Sequence, residues 1–217
     1  MSKPQHTVPI IWSPNFAYAI GLIVTDGCLS SDGRHITFTS KDVDLINTFQ
    51  QVIGVNIKVG KIARSSEIEK RYCRVQIGDV TFYHFLENIG LMPRKSKIIG
   101  EVKIPDEYFR DFLRGHFDGD GSFYSYFDPR WKSSYMYYTV FHSASHDHID
   151  WLRKRIQHFW GLKGHVSKPK SDSCIRLKYA KTESDILLKQ IYHKENLPCL
   201  ERKRLKIFKA LSIMPAK

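Results

Sequence analysis

The sequence lacks any apolar run of about 18 residues, so no helix that spans a bilayer is expected. Cysteine is scarce and scattered. Cys28, Cys73, Cys174 and Cys199 form no C-x-x-C pair, which argues against both a zinc ribbon and a disulfide framework and reads as reduced thiols. The opening stretch "MSKPQHTVPIIW" has no apolar core of the signal-peptide kind, so a soluble, intracellular protein is expected. Acidic residues are in deficit, 22 against 34 Lys+Arg, and the net charge of +12 points to a polyanionic partner. The 13% aromatic content is too rich for a disordered basic tail. Histidine is present ten times without the spacing of a metal-ligand set.

What the chain does have is a repeat. Its 217 residues, 42% apolar, suffice for one sizeable domain or two small ones. Aligning Gly21 in "AIGLIVTDGCL" with Gly115 in "LRGHFDGDGSF" places Asp26-Gly27 over Asp120-Gly121. Each stretch runs into hairpin-like sequence, with turn signals at Ser31-Asp32-Gly33 and at Asp128-Pro129. Helical patterns follow, "DVDLINTFQQVIG" and "DHIDWLRKRIQHFWG", each closing on a glycine suited to a C-cap. A second hairpin, another helix and a basic turn complete each copy, with Arg94-Lys95 over Arg202-Lys203. The order α-β-β-α-β-β-α therefore occurs twice, which predicts an α+β fold with an N-terminal repeat over 1–100 and a C-terminal repeat over 101–217.

Carboxylates at the C-terminal end of a helix face the negative pole of its dipole, so Asp26 and Asp120 need a cause. Gly21 and Thr25 share a helix face, as do Gly115 and Gly119, and small residues at this spacing let two helix backbones approach closely. Packing those faces together makes a pseudo-twofold seam and sets Asp26 beside Asp120, an arrangement that hard divalent cations would stabilise. The competing reading treats each Asp-Gly as an ordinary turn.

"LRGHFDGDGSF" closely resembles the LAGLIDADG signature of homing endonucleases, and "AIGLIVTDGCL" resembles a more diverged copy that has Val24 where the signature has an acid. The resemblance runs from about Pro14 to Ile213. It implies a monomer of two αββαββα repeats, each with a saddle-shaped, four-stranded antiparallel sheet facing the DNA major groove, and with the two signature helices packed at the centre. It implies a site-specific nuclease that makes double-strand breaks with 3′ overhangs in a long, near-asymmetric target, using Mg²⁺, with Mn²⁺ or Ca²⁺ able to substitute in binding. Asp26 and Asp120 would be the metal-binding acids, helped by the carbonyls of Thr25 and Gly119. Lys95 and Lys203 would be the basic residues near the active centre, a phosphate-contacting role being the alternative. Ser40, Lys41, Ser145 and His146 correspond to polar positions that order active-site water in the family, although serine before a helical run is also an ordinary N-cap.

Alternation along strands predicts the residues that meet DNA. In the first repeat these are Arg34, Thr37, Thr39, Lys58, Lys61, Arg64, Arg71, Arg74 and Gln76. In the second they are Tyr124, Tyr126, Arg130, Lys132, Tyr135, Tyr137, His142, His165, Lys168, Arg176 and Lys178. Arginine and lysine suit guanine edges and glutamine suits adenine. The alternative function on the same fold is an intron-splicing maturase, with intron RNA as partner, or a DNA-binding protein that does not cut. The stretch "WLRKRIQHFW" is read as a helix that covers the back of a sheet.

Overall fold

Ser13 starts the first helix. Its Oγ accepts the Phe16 N–H at 3.1 Å, and Pro14 fills the first helical position, where no amide hydrogen is needed. The helix α1 (Pro14–Asp26) is buried from Phe16 to Val24, so it has no wet face and must be covered on all sides. This computed structural model describes residues 7–63, 69, 71–169 and 174–213, with the side chains of residues 132 and 133 left aside.

After α1 come β1 (Gly27–Leu29), β2 (His35–Ser40), α2 (Val43–Ile53), β3 (Gly60–Ile62), β4 (Tyr72–Gly78) and α3 (Val80–Asn88). The second pass gives α4 (Phe109–Asp120), β5 (Ser122–Asp128), β6 (Trp131–Ser143), α5 (His146–Trp160), β7 (His165–Ser167), β8 (Ile175–Ala180), α6 (Lys181–Ile191) and α7 (Glu201–Ser212). The strands form two antiparallel sheets of identical order, β1-β2-β4-β3 and β5-β6-β8-β7. The expected α+β architecture of two αββαββα repeats is thus realised, with α1 and α4 as the central helix pair.

One sheet face is dry in each repeat. Along β2 the buried residues are Ile36, Phe38 and Ser40, and along β4 they are Cys73, Val75 and Ile77. Phe38 stacks on Phe49 of α2 at 4.2 Å between ring centres. In the second repeat the stripe on α5 faces inward, as read from the sequence: Trp151, Leu152 and Ile156 are buried, and Trp151, Phe159 and Trp160 surround Phe109. No helix among the described residues is long and apolar enough to cross a membrane.

The two basic turns differ. Lys95–Lys97 form a single 3-10 turn, whereas the corresponding segment opens a twelve-residue helix, α7. Arg204 bonds both carboxylate oxygens of Glu201 at 2.9 Å, an i,i+3 pair that supports the first turn of α7. In the first copy the chain instead runs on without a regular helix from Ile98 to Pro105 before it reaches α4.

Candidate active site and nucleic-acid interface

The seam between α1 and α4 is built from backbone contacts. A Cβ placed on Gly21 would stand 2.2 Å from the Phe112 carbonyl oxygen and 2.6 Å from the His116 nitrogen. One on Gly115 would stand 2.0 Å from the Tyr18 oxygen and 3.2 Å from the Gly21 Cα. Only glycine permits that approach. At the end of the seam a Cβ on Gly119 would lie 1.9 Å from Thr25 Oγ1 and 3.0 Å from Asp26 Oδ2, so the end of α4 abuts the end of α1. Asp26 is half-buried and Asp120 is exposed. Both border one cavity of about 660 Å³, together with Thr25, Gly119, Lys95 and Asp42.

The helix ends are held by lysines. Lys95 is 6% exposed, and its Nζ donates to the Gly27 carbonyl. Lys203 Nζ lies 2.7 Å from the carbonyl of Phe117, 2.8 Å from that of Asp118, 3.2 Å from that of Gly119 and 2.6 Å from that of Gly121. Gly27 and Gly121 correspond in the duplication, so each lysine caps the same carbonyl in its own repeat. This offsets the negative pole that would otherwise face Asp26 and Asp120. Burial pushes the Lys95 ammonium below its ordinary pKa and that of Lys203 down to about 8, while neighbouring acids, Asp26 and Asp120 among them, pull both back up. An ammonium has three N–H groups, and those of Lys203 are directed at backbone carbonyls. That makes capping its first role.

Among the described residues no group of three or more His, Cys, Asp or Glu could by itself hold a metal. The oxygen donors present, two carboxylates flanked by the carbonyls of Thr25 and Gly119, fit a hard divalent cation that completes its shell with water and phosphate oxygens. Gly119 O already accepts a long bond from Lys203, so it has one lone pair left for such a role.

Asp118, the other carboxylate of "FDGDG", is fully buried and does different work. It accepts from Tyr18 Oη at 2.9 Å, Tyr192 Oη at 3.0 Å and the Leu200 N–H at 2.7 Å. Burial raises its pKa, and these donors together with the Lys203 charge oppose the rise. It ties α1, the end of α6 and the start of α7 to the middle of the fold. Sequence reading assigned it no role.

A second cavity of about 400 Å³ opens on the other flank of Asp120, bordered by Lys95, His116, His142, His148 and Cys174. His148 Nδ1 lies 2.8 Å from the Gly100 carbonyl, which can only accept, so that nitrogen carries the hydrogen. His148 Nε2 then accepts from His116 Nε2 at 3.0 Å. Burial holds both rings neutral, with His148 lowered to about 4 and His116 well below the ordinary histidine value. His142 Nε2 sits 2.8 Å from Ser122 Oγ.

The other polar candidates are structural in their visible contacts. Ser40 Oγ accepts the Asp42 N–H at 3.1 Å, and Ser145 Oγ caps α5 and donates to the Ile99 carbonyl. Lys41 lies 4.9 Å from the Tyr72 ring centre, and His146 is exposed, 4.0 Å from Asp150.

Strand register decides which predicted contacts share the open sheet faces. Thr37 pairs with Gln76 and Thr39 with Arg74, all four opposite to the dry face. In the second sheet His142 pairs with Arg176, while Lys178 pairs with Val140 and His165. Tyr124 and Tyr126 are exposed and stack with Tyr138, the three ring planes lying within 20° of one another. Arg34, Lys58, Arg130 and Lys168 sit on turns and edges, with Arg130 engaged by Asp128 at 3.0 Å.

Four expectations are corrected. Tyr135 and Tyr137 are buried on the helix side, because Tyr137 pairs with Ser125 and Tyr135 with Phe127 while Tyr138 takes the open side. Lys61 pairs with buried Cys73, which puts it on the helix side at an exposed edge. Arg71 has the parity of Cys73, and its Nε lies 2.6 Å from Glu69. Arg64 and the side chain of Lys132 lie outside the described residues.

Residues 13–90 match the family profile of the LAGLIDADG-like domain. No curated protein sequence matches the chain. Among solved structures, the meganuclease I-SmaMI bound to uncleavable DNA is 12% identical, with 95% of this chain and 91% of that one covered and a TM-score of 0.63. The homing endonuclease I-DmoI in complex with DNA and Mn is 14% identical over 85% of this chain and 98% of its own, TM-score 0.53. Full-length DUF199/WhiA from Thermatoga maritima is 15% identical over 97% of this chain and 64% of its own, TM-score 0.57. At these identities the likeness is one of fold.

Proposed function

The chain carries the two-repeat LAGLIDADG fold, and from that premise we propose that it is a site-specific endonuclease that hydrolyses both strands of duplex DNA with a divalent metal. One observation carries the reading: Asp26 and Asp120 end two abutting helices and border one cavity. The open sheet faces offer Thr39, Arg74 and Gln76 on one repeat and His142, Arg176 and Lys178 on the other. A net charge of +12 makes binding steeply salt-dependent.

Asp26 and Asp120, with the carbonyls of Thr25 and Gly119, would hold Mg²⁺. Such an ion neutralises charge on the phosphoryl oxygens and acidifies an attacking water. The chain's own residues do the rest. Lys95 and Lys203 fix the helix ends, so the carboxylates are presented without the helix fraying. The sheets would hold the duplex; two unlike sheets suit a long, near-asymmetric target, and 3′ overhangs are what the resemblance to LAGLIDADG homing endonucleases implies. Manganese or calcium serves in binding; I-DmoI and I-SmaMI are known with DNA and Mn and with DNA and calcium ions, respectively.

Incubation with a randomised library of long duplexes and Mg²⁺ is expected to yield discrete double-strand cuts. Asp26→Asn or Asp120→Asn should abolish cutting and leave binding. Normal cutting by both variants would overturn the assignment, and sequence-specific binding by wild type without cutting would leave a DNA-binding protein of this fold.

A further inference from the structure

Arg94 and Arg202 occupy corresponding places, each directly before one of the buried lysines, yet the structure treats them differently. Arg202 is held across the repeats by Asp42, Nε to Oδ1 at 2.9 Å and Nη2 to Oδ2 at 2.7 Å. Arg94 is exposed and borders the same cavity as Asp26 and Asp120. Of the four cations among the described residues around that cavity, Lys95 is buried and donates to the Gly27 carbonyl, Lys41 lies over Tyr72 and Arg202 is paired with Asp42. Among the described residues there, Arg94 is the cation without a protein partner.

Its backbone adds a second observation. Arg94 has φ 56° and ψ 28°, and it is the only non-glycine residue with positive φ among the described residues. Glycine adopts that conformation freely and arginine does not. A long cationic side chain kept at a position the backbone would give to glycine indicates that the side chain itself is used.

We propose that Arg94 is a phosphate-clamping residue serving one of the two scissile phosphates, so that the two strands are cut at unequal rates. Its planar fork matches two phosphate oxygens. The counterpart that would serve the other phosphate, Arg202, is withheld by Asp42. The inference rests on the nuclease reading.

The test uses DNA recovered from a randomised duplex library by selection for cutting with wild-type protein, each strand labelled separately. Rates are measured with Mg²⁺ at saturating protein, so binding does not enter. Wild type should cut one strand faster. Arg94→Gly should slow that strand roughly ten- to a hundredfold, the scale of one charge-assisted hydrogen bond, and leave the other within about twofold. Because glycine suits the backbone, its melting temperature should not fall. Asp42→Ala, which releases Arg202, should speed the slower strand. Equal slowing of both strands by Arg94→Gly, or no slowing, overturns the proposal. Absence of cutting by wild type overturns the nuclease reading instead, and this one falls with it.

Discussion

The Gly115 backbone passes so close to Tyr18 that a β-carbon at position 115 would stand 2.0 Å from the Tyr18 carbonyl oxygen. That contact fixes how near α4 can come to α1, and through it where Asp120 stands relative to Asp26. The atoms met are backbone, so neither helix can yield by turning a side chain. Gly115→Ala should therefore destabilise the fold by about 3 kcal/mol or more, the upper range for overpacking. For a chain of this length that is a fall in melting temperature of roughly 6–12 °C. Gly60→Ala is the control, since its added carbon would meet Arg74 O at an ordinary 3.7 Å. Equal melting of the two variants would show that the seam is not set by glycine.

The lysine beneath α4 makes a prediction of the opposite kind, where a polar group is removed. Lys203→Met keeps the volume and takes from the carbonyls of Phe117, Asp118 and Gly121 the ammonium that donates to them. Each deprived buried carbonyl costs about 1 kcal/mol or more, so a loss of about 2–4 kcal/mol is expected in urea unfolding. Lys95→Met should cost less, because one carbonyl is involved. Were the two losses the same, the fourfold contact of Lys203 would carry no weight.

The buried histidine pair should weaken the fold as the solution is acidified. Burial pushes His148 down to about 4 in the folded chain, against near 6.5 once unfolded, with Lys95 adding to the depression. Its neutral form therefore favours folding. That contribution is whole above pH 6.5 and is lost as pH falls towards 4, where the unfolded chain takes up a proton the folded one refuses. The loss amounts to about 3 kcal/mol for His148, and His116 acts in the same direction. Stability measured between pH 7 and 4 should decline with that slope, and His148→Gln should flatten it. An unchanged slope would place the acid sensitivity elsewhere.

The repeat order, the seam and the two terminal acids were legible because they follow from short-range rules: helix spacing, the cost of glycine in a helix, and duplication. Asp118 was not legible. Its environment is assembled from Tyr18, Tyr192 and Leu200, and nothing local distinguishes it from Asp120 two residues on. The same holds for α7, whose basic sequence resembles the turn at 94–97 until one sees where the chain must go next. Asp118→Ala should thus lower stability, by about 3 kcal/mol from its unpaired donors, while the Mg²⁺ concentration needed for half-maximal cutting stays the same. A shifted Mg²⁺ requirement would place Asp118 among the metal-binding groups.

The tyrosines of the second sheet show what alternation alone leaves open. A register shift between Phe127 and Asp128 interrupts the pairing near the hairpin tip, and parity counted from the turn then puts Tyr135 and Tyr137 on the wrong face. Counted from the paired residues, Tyr124 faces Tyr138 on the open side and Tyr137 faces Ser125 on the dry side. The two rings should therefore fail differently when removed. Tyr137→Ala empties a core position and should lower stability by about 3 kcal/mol or more without changing which DNA sequences are selected from a randomised library. Tyr124→Ala, more than a third exposed, should leave melting nearly unchanged and relax sequence preference over the base pairs beneath β5 alone. A Tyr124→Ala protein with an unaltered preference would remove the stacked rings from the DNA-reading face.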